Sequence, residues 1–289
     1  MGTLSDSNHV PQEIAVKALK LKAFSPLIFF GAEAIAVGLL SFSPPVKAQV
    51  IPDSRVGTPI SVDGNITGGT TTIDGTQQNL FHSFQAFSLD PADTITFIAP
   101  NSVENIITRV TGQLPSEING TLRVDNTTSN LFLINPAGIV FGPSAQLQVP
   151  GSFIASTAEQ ITFENGFAFD TDSLNAPPLM TVSAPIGLQI GSGSITVNNS
   201  GHNIAKLNIT DPSQGANGGI APHVQQGSTP GLQVMPGSTL ALIGNGVTFN
   251  GGVVTANSGH VEIGSVAEGS VVSLAWIIHD QLQYKRKRA

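Results

Sequence analysis

The stretch "NLFLINPAGIVFGPSAQLQVPGSFIAS" (130–156) sets short apolar runs between closely spaced breakers. After Asn135-Pro136-Ala137-Gly138 come "IVF", "GPSA", "QLQV", "PGS" and "FIAS", so a corner falls about every seven residues. Three such sides make a rung of about twenty residues, the period of a solenoid rather than of a hairpin. Strands of a β-sandwich are usually longer. From Ile51 onward the pattern therefore predicts an all-β protein, a parallel β-helix in which each rung stacks its backbone hydrogen bonds on the next. A second patch, "LQVMPGSTLALIGNGVTFNGGVVTANSGHVEIGSV" (232–266), alternates apolar residues with Gly-Asn-Gly, Asn-Gly-Gly and Ser-Gly corners and reads as successive rungs.

One corner has a clear local cause. Asn at the first position, Pro at the second and Gly at the fourth favour a type I turn, and Pro136 presets φ there. Leu131, Leu133, Ile139 and Phe141 can point inward on either side, each worth roughly 1.5–3 kcal/mol if fully buried. A purely structural reading of this motif stands beside a functional one.

Two segments interrupt the rungs: the Pro- and Gly-rich residues Asp170 to Pro185, and the looser residues Gly201 to Gly231. Both read as excursions from one solenoid covering residues 49–275, not as linkers between domains. The ending "WIIHDQLQYKRKRA" (276–289) breaks the pattern, as a truncated end or a cap over an open β-helix end would. At the other end, Lys17, Lys20 and Lys22 precede "AFSPLIFFGAEAIAVGLLSF" and then Val46-Lys47-Ala48. A positive segment, an apolar segment and a small residue describe a secretory signal peptide over residues 1–48, cleaved after Ala48. Read instead as a membrane anchor, it fails on length: Pro26 and Glu33 leave only residues 34–42 uninterrupted, against the roughly 20 needed to span a bilayer. The mature chain is not expected to span a membrane.

Composition fits short strands and tight turns: charged residues make up 11%, with 31 Gly, 19 Pro and no Cys in 289 residues. The formal net charge is -7, and between Val56 and Tyr284 the only basic residues are Arg109, Arg123 and Lys206. Nucleic acid requires several cations in one stripe, so that partner is excluded. With no cysteine there is neither a disulfide framework nor a thiolate metal site. The six histidines are scattered without metal-ligand spacing, and no phosphate-binding loop or Gly-x-Ser-x-Gly elbow occurs, so neither a metal nor a cofactor is expected.

Polysaccharide-cleaving enzymes also use β-helices. Lyases of that shape need a Lys or Arg base beside clustered carboxylates, a requirement poorly met here. Hydrolases need two carboxylates facing one glycosidic bond. Asp170 and Asp172 could share a face of an extended segment, but a solvated loop is the plainer reading. Asp90 and Asp93 flank Pro91 in a turn composition.

Four segments, "NLFHSFQAF" (79–87), "NIITRVTG" (105–112), "SEINGTLRV" (116–124) and "NLFLINPAGIVFGPSAQLQVPGSFIAST" (130–157), resemble, in the family's order, the N-terminal secretion domain of filamentous haemagglutinin-type exoproteins of two-partner secretion. The likeness is best over residues 60–169, and residues 232–266 look like cyanobacterial members. It implies a right-handed parallel β-helix, carried through the periplasm and then through an outer-membrane TpsB/Omp85-type barrel whose POTRA domains recognise it while extended. The chain would be secreted or held at the cell surface, with a haemagglutinin- or adhesin-like role towards a cell-surface carbohydrate or host receptor. Carried over by position, the recognition and fold-initiating residues are Asn105, Arg109 and Val110 of "NIITRV", and Asn135, Pro136 and Gly138 of the turn. Ala137 departs from the family, many members of which have Asn there. Against this non-enzymatic exoprotein stand two other readings, a secreted carbohydrate-active β-helix enzyme and a surface-anchored structural protein.

Overall fold

The computed structural model describes residues 49–53, 65–66, 70–74, 77–125, 127–172, 184–201, 204–206, 223–225 and 231–274. The signal segment, the cut after Ala48, the tail 276–289 and most of the two excursions lie outside these residues.

Every regular element among the described residues is a strand, and the strands wind into a right-handed parallel β-helix of about six turns. Within one turn the chain runs along three faces in succession, as in Asn105–Val110, Ser116–Ile118 and Thr121–Asp125. The first face stacks Gln77–Phe87, Asn105–Val110, Asn130–Ile134, Phe153–Ser156, Thr239–Gly244 and His260–Ser265, all parallel. The second stacks Ser116–Ile118, Ile139–Phe141, Ile195–Asn198 and Val247–Asn250. The third stacks Thr94–Ile98, Thr121–Asp125 and Gln146–Gln148, and further along Leu232–Val234 pairs with Val254–Ala256.

Alternation decides what fills the interior. Leu80, Phe84, Ile106, Val110, Leu131, Leu133, Phe153, Leu240 and Leu242 from the first face meet Ile118, Ile139, Phe141, Ile195 and Val197 from the second and Ile95, Phe97, Leu122 and Val124 from the third in one buried cluster. Rungs this short have no room for long polar chains inside, so inward positions are apolar almost throughout.

From Gln77–Phe87 to Thr239–Gly244 the first face is buried on its outer side as well. Between Ser156 and Ile195 the chain leaves the solenoid and builds an antiparallel sheet from Ala158–Phe163, Ala168–Asp170 and Pro185–Ile190, which Val271–Ser273 joins. Its Ile161, Phe163, Phe169, Leu188 and Ile190 pack on Phe81, Ile107, Phe132, Ile134, Ile154 and Ile243. Two-sided burial explains why "NIITRV" and "TLALIG" are buried at every position, whereas "TLRVD" on the third face alternates. At the N-terminal edge, Val50–Pro52 and Thr70–Asp74 lie antiparallel on Gln77–Phe87 and cover its free hydrogen-bonding groups.

Candidate functional site

The residues singled out from sequence fall into two clusters on the second and third stacked strands of the first face. The first begins at a corner. Asn105 Nδ2 donates to Asn79 Oδ1 at 2.9 Å, and Asn130 Nδ2 donates to Asn105 Oδ1 at 2.9 Å. Asn130 Oδ1 accepts the Ser152 N–H, and Ser152 Oγ accepts the Thr239 N–H, so side-chain bonds climb five rungs at one position. Asn105 and Asn130 each bond the neighbour below and the one above, which locks register against a slip that would turn the apolar residues outward.

Four residues along the same strand, Arg109 is 1% exposed. Its Nε donates to Ser83 Oγ at 2.8 Å, and Ser83 Oγ donates to Asp53 Oδ2 at 2.5 Å, which also accepts Thr111 Oγ1 at 2.9 Å. Nη1 donates to the Asp170 carbonyl oxygen, and the guanidinium carbon stands 4.1 Å from the centre of the Phe169 ring. Arg109 thereby joins three pieces of chain: the solenoid, the N-terminal strand that ends at Asp53, and the antiparallel insertion. Val110, the next residue, points into the solenoid core.

The second cluster is the Asn-Pro corner. Gly138 N–H donates to the Asn135 carbonyl at 3.0 Å and closes the turn, and Asn135 Oδ1 accepts the Ala137 N–H at 3.0 Å. Asn135 Nδ2 donates to the Leu114 carbonyl at 3.1 Å and to Ser116 Oγ at 2.9 Å, tying the corner to the rung before it. Gly138 has φ +123°, which disfavours any residue with a Cβ. The following rung crosses this corner with Gly193, where a Cβ would lie 2.4 Å from the Pro136 carbonyl oxygen, so only glycine lets the two rungs stack.

Asp170 and Asp172 share an open cleft with Glu159, Gln160 and Gln189, and Gln189 Nε2 donates to Glu159 Oε1 at 2.7 Å. Asp90 and Asp93 form a turn, with the Asp93 N–H bonded to the Asp90 carbonyl and the Asp90 N–H to Asp93 Oδ2.

Asn79, Asn130 and Ser152 join the ladder, and Ser83, Asp53 and Thr111 join the Arg109 group, without having stood out in the sequence. A signal for the ladder is present: "NLF", "NII" and "NLF" begin at 79, 105 and 130, one apolar run after each Asn. Nothing local marks Asp53, which reaches Ser83 only through the antiparallel strand that precedes it.

Parallel rungs stacked on three faces, wrapped on one side by an antiparallel insertion, define a parallel β-helix. Residues 48–283 match the model of the TPS secretion domain family, and the chain belongs to that family. A solved structure described as "Crystal structure of filamentous hemagglutinin secretion domain" is similar at 13% identity and a TM-score of 0.37, covering 76% of this chain and 98% of its own. No curated protein matches the chain. The chain is thus an exoprotein of two-partner secretion, a class that passes through the periplasm to the cell surface or beyond with a TpsB outer-membrane transporter as its partner.

Proposed function

We propose that the transporter is an Omp85-type barrel whose periplasmic POTRA domains bind this domain while it is extended, and that Asn105, Arg109, Val110, Asn135, Pro136 and Gly138 initiate folding once the chain emerges. The observation that carries this reading is burial: Asn105, Arg109, Val110 and Asn135 are all inaccessible in the folded domain. A partner that reads these side chains must meet them before folding. An extended chain with few charges can be bound by edge-strand addition, which reads backbone hydrogen bonds. Outside, each new rung adds a nearest-neighbour interface, so folding can propagate as residues emerge and bias movement outward. Removal of residues 1–48 fits the same scheme, since the carbonyl of Gln49 already accepts the Ser88 N–H at 2.8 Å. On this reading residues 49–275 are the secretion domain, and the exported protein is a non-enzymatic adhesin-like exoprotein that meets a cell-surface carbohydrate or host receptor.

A carbohydrate-active enzyme would have to work through the cleft of Glu159, Asp170 and Asp172. Among the described residues, those lining that cleft include no Lys or Arg to serve as the base of a lyase.

The test is export of the full chain with and without a candidate partner barrel, measured as protein in the medium. Release is expected only with the barrel, and Asn135→Ala is expected to lower it more than Asp170→Ala. Release without the barrel would remove the transporter reading; equal export of the two variants would remove the special role of the turn.

A further inference from the structure

Two inward positions of the first two rungs are not apolar. His82 lies between Leu80 and Phe84 on Gln77–Phe87, wholly buried, with its ring 5.4 Å from that of Phe97 and 6.4 Å from that of Phe84. Directly in register above it is Thr108, also wholly buried. Among the described residues, neither ring nitrogen of His82 nor the Thr108 hydroxyl has a hydrogen-bond partner. A desolvated imidazole with no acceptor for an N–H and no nearby anion has nothing to hold a positive charge.

The charged groups around it do not change this. On Asn105–Val110 the charged residue is Arg109, which lies on the outer side of the sheet, and Asp53 reaches that same outer side through Ser83. Thr94–Ile98, which supplies Phe97, has no charged residue, and neither does Val50–Pro52. Asp74, at the end of Thr70–Asp74, pairs with Gln77, five residues before His82 on the strand. The inward neighbours Leu80, Phe84, Phe97, Ile106 and Val110 are apolar.

We propose that His82 makes closure of the first two rungs a proton-sensitive step: the imidazole must release its proton to solvent before these rungs can form, so mild acid weakens folding. Burial pushes the imidazole down from its ordinary 6.5 to about 3. Between those values the unfolded chain binds a proton that the folded chain refuses, so stability is full above about pH 6.5 and is lost as pH falls towards 3. From pH 7.5 to pH 5 this single site lowers the folding equilibrium constant about thirtyfold. The inference depends on the folded domain alone, so it stands or falls separately from the transporter reading.

The experiment is urea unfolding of the full chain followed by far-ultraviolet circular dichroism at pH 7.5, 6 and 5. Wild type is expected to lose about thirtyfold more folding equilibrium constant over that range than His82→Leu, while His260→Leu, at an exposed position, keeps the wild-type loss. The same loss in His82→Leu as in wild type overturns the proposal. Should His82→Leu not fold, the ring Cε1–H resonance of His82 in the wild-type protein decides. A resonance unmoved from pH 7.5 to pH 5 supports the proposal, and a titration centred above about pH 5.5 overturns it.

Discussion

Arg109 and Arg123 belong to the same turn of the solenoid, and both leave their strands on the outward side. Their surroundings are opposite. Arg109 is enclosed by Ser83, Phe169 and the Asp170 carbonyl, whereas Arg123 reaches only Asp125, at 2.9 Å, with side chains 46% and 39% exposed. The difference does not come from the strands themselves but from what lies over them. The antiparallel insertion covers the first face at Arg109 and leaves the third open to water at Arg123. An outward position in this fold is therefore a surface on one face and a second core on another. A cation placed there is either a tie between chain segments or a solvated charge.

The sharpest way to break that comparison is to hollow out the second core. Phe81 is wholly buried on the outer side of the first face, 4.8 Å from the Phe169 ring and 5.8 Å from that of Phe163. Phe81→Ala is expected to cost about 3–5 kcal/mol in urea unfolding. Because the cavity opens between solenoid and insertion, proteolysis should cut residues 158–190 before it cuts the rungs. A loss spread evenly over both would mean that the insertion and the rungs are one cooperative unit.

Arg109→Ala comes next. It removes a charged hydrogen bond to Ser83, another to the Asp170 carbonyl and the stacking on Phe169, and about 3 kcal/mol of stability should go with them. Arg109→Lys keeps the charge but not the planar fork, so it should recover less than half of the loss by the same measurement. Full recovery would reduce the role of Arg109 to charge alone.

How much of this could be read in advance depends on range. The rungs are local: corners at Asn135-Pro136-Ala137-Gly138 and at the glycines near 245 and 251 follow from turn chemistry, and the inward alternation of Leu122 and Val124 follows from period two. The run "NIITRV" was legible as a special segment through its family likeness, but the reason for its unbroken burial was not. That reason is Phe163, Phe169 and Leu188, which arrive from an insertion whose own strands look, in sequence, like further rungs. The structure departs from the solenoid at Ala158, ahead of the Pro- and Gly-rich residues that mark an excursion in the sequence. His82 was one of six scattered histidines in sequence; only register against Thr108 and packing on Phe97 make it a buried titratable group in the interior.

The smallest expected effect sharpens the comparison most. Arg123 and Asp125 lie two residues apart on the outward side of Thr121–Asp125, so their bond forms between two solvated chains. Both charges stay hydrated whether or not they meet, and holding two flexible side chains in one geometry offsets much of the attraction. Arg123→Ala should change stability by no more than about 0.5 kcal/mol. What change there is should vanish near 1 M salt, where the screening length falls to about 3 Å. Arg109→Ala, shielded by the insertion, should keep its cost in the same salt. If the two substitutions cost alike, or respond alike to salt, then the cover over the first face is not what separates these residues, and the tie assigned to Arg109 fails with it.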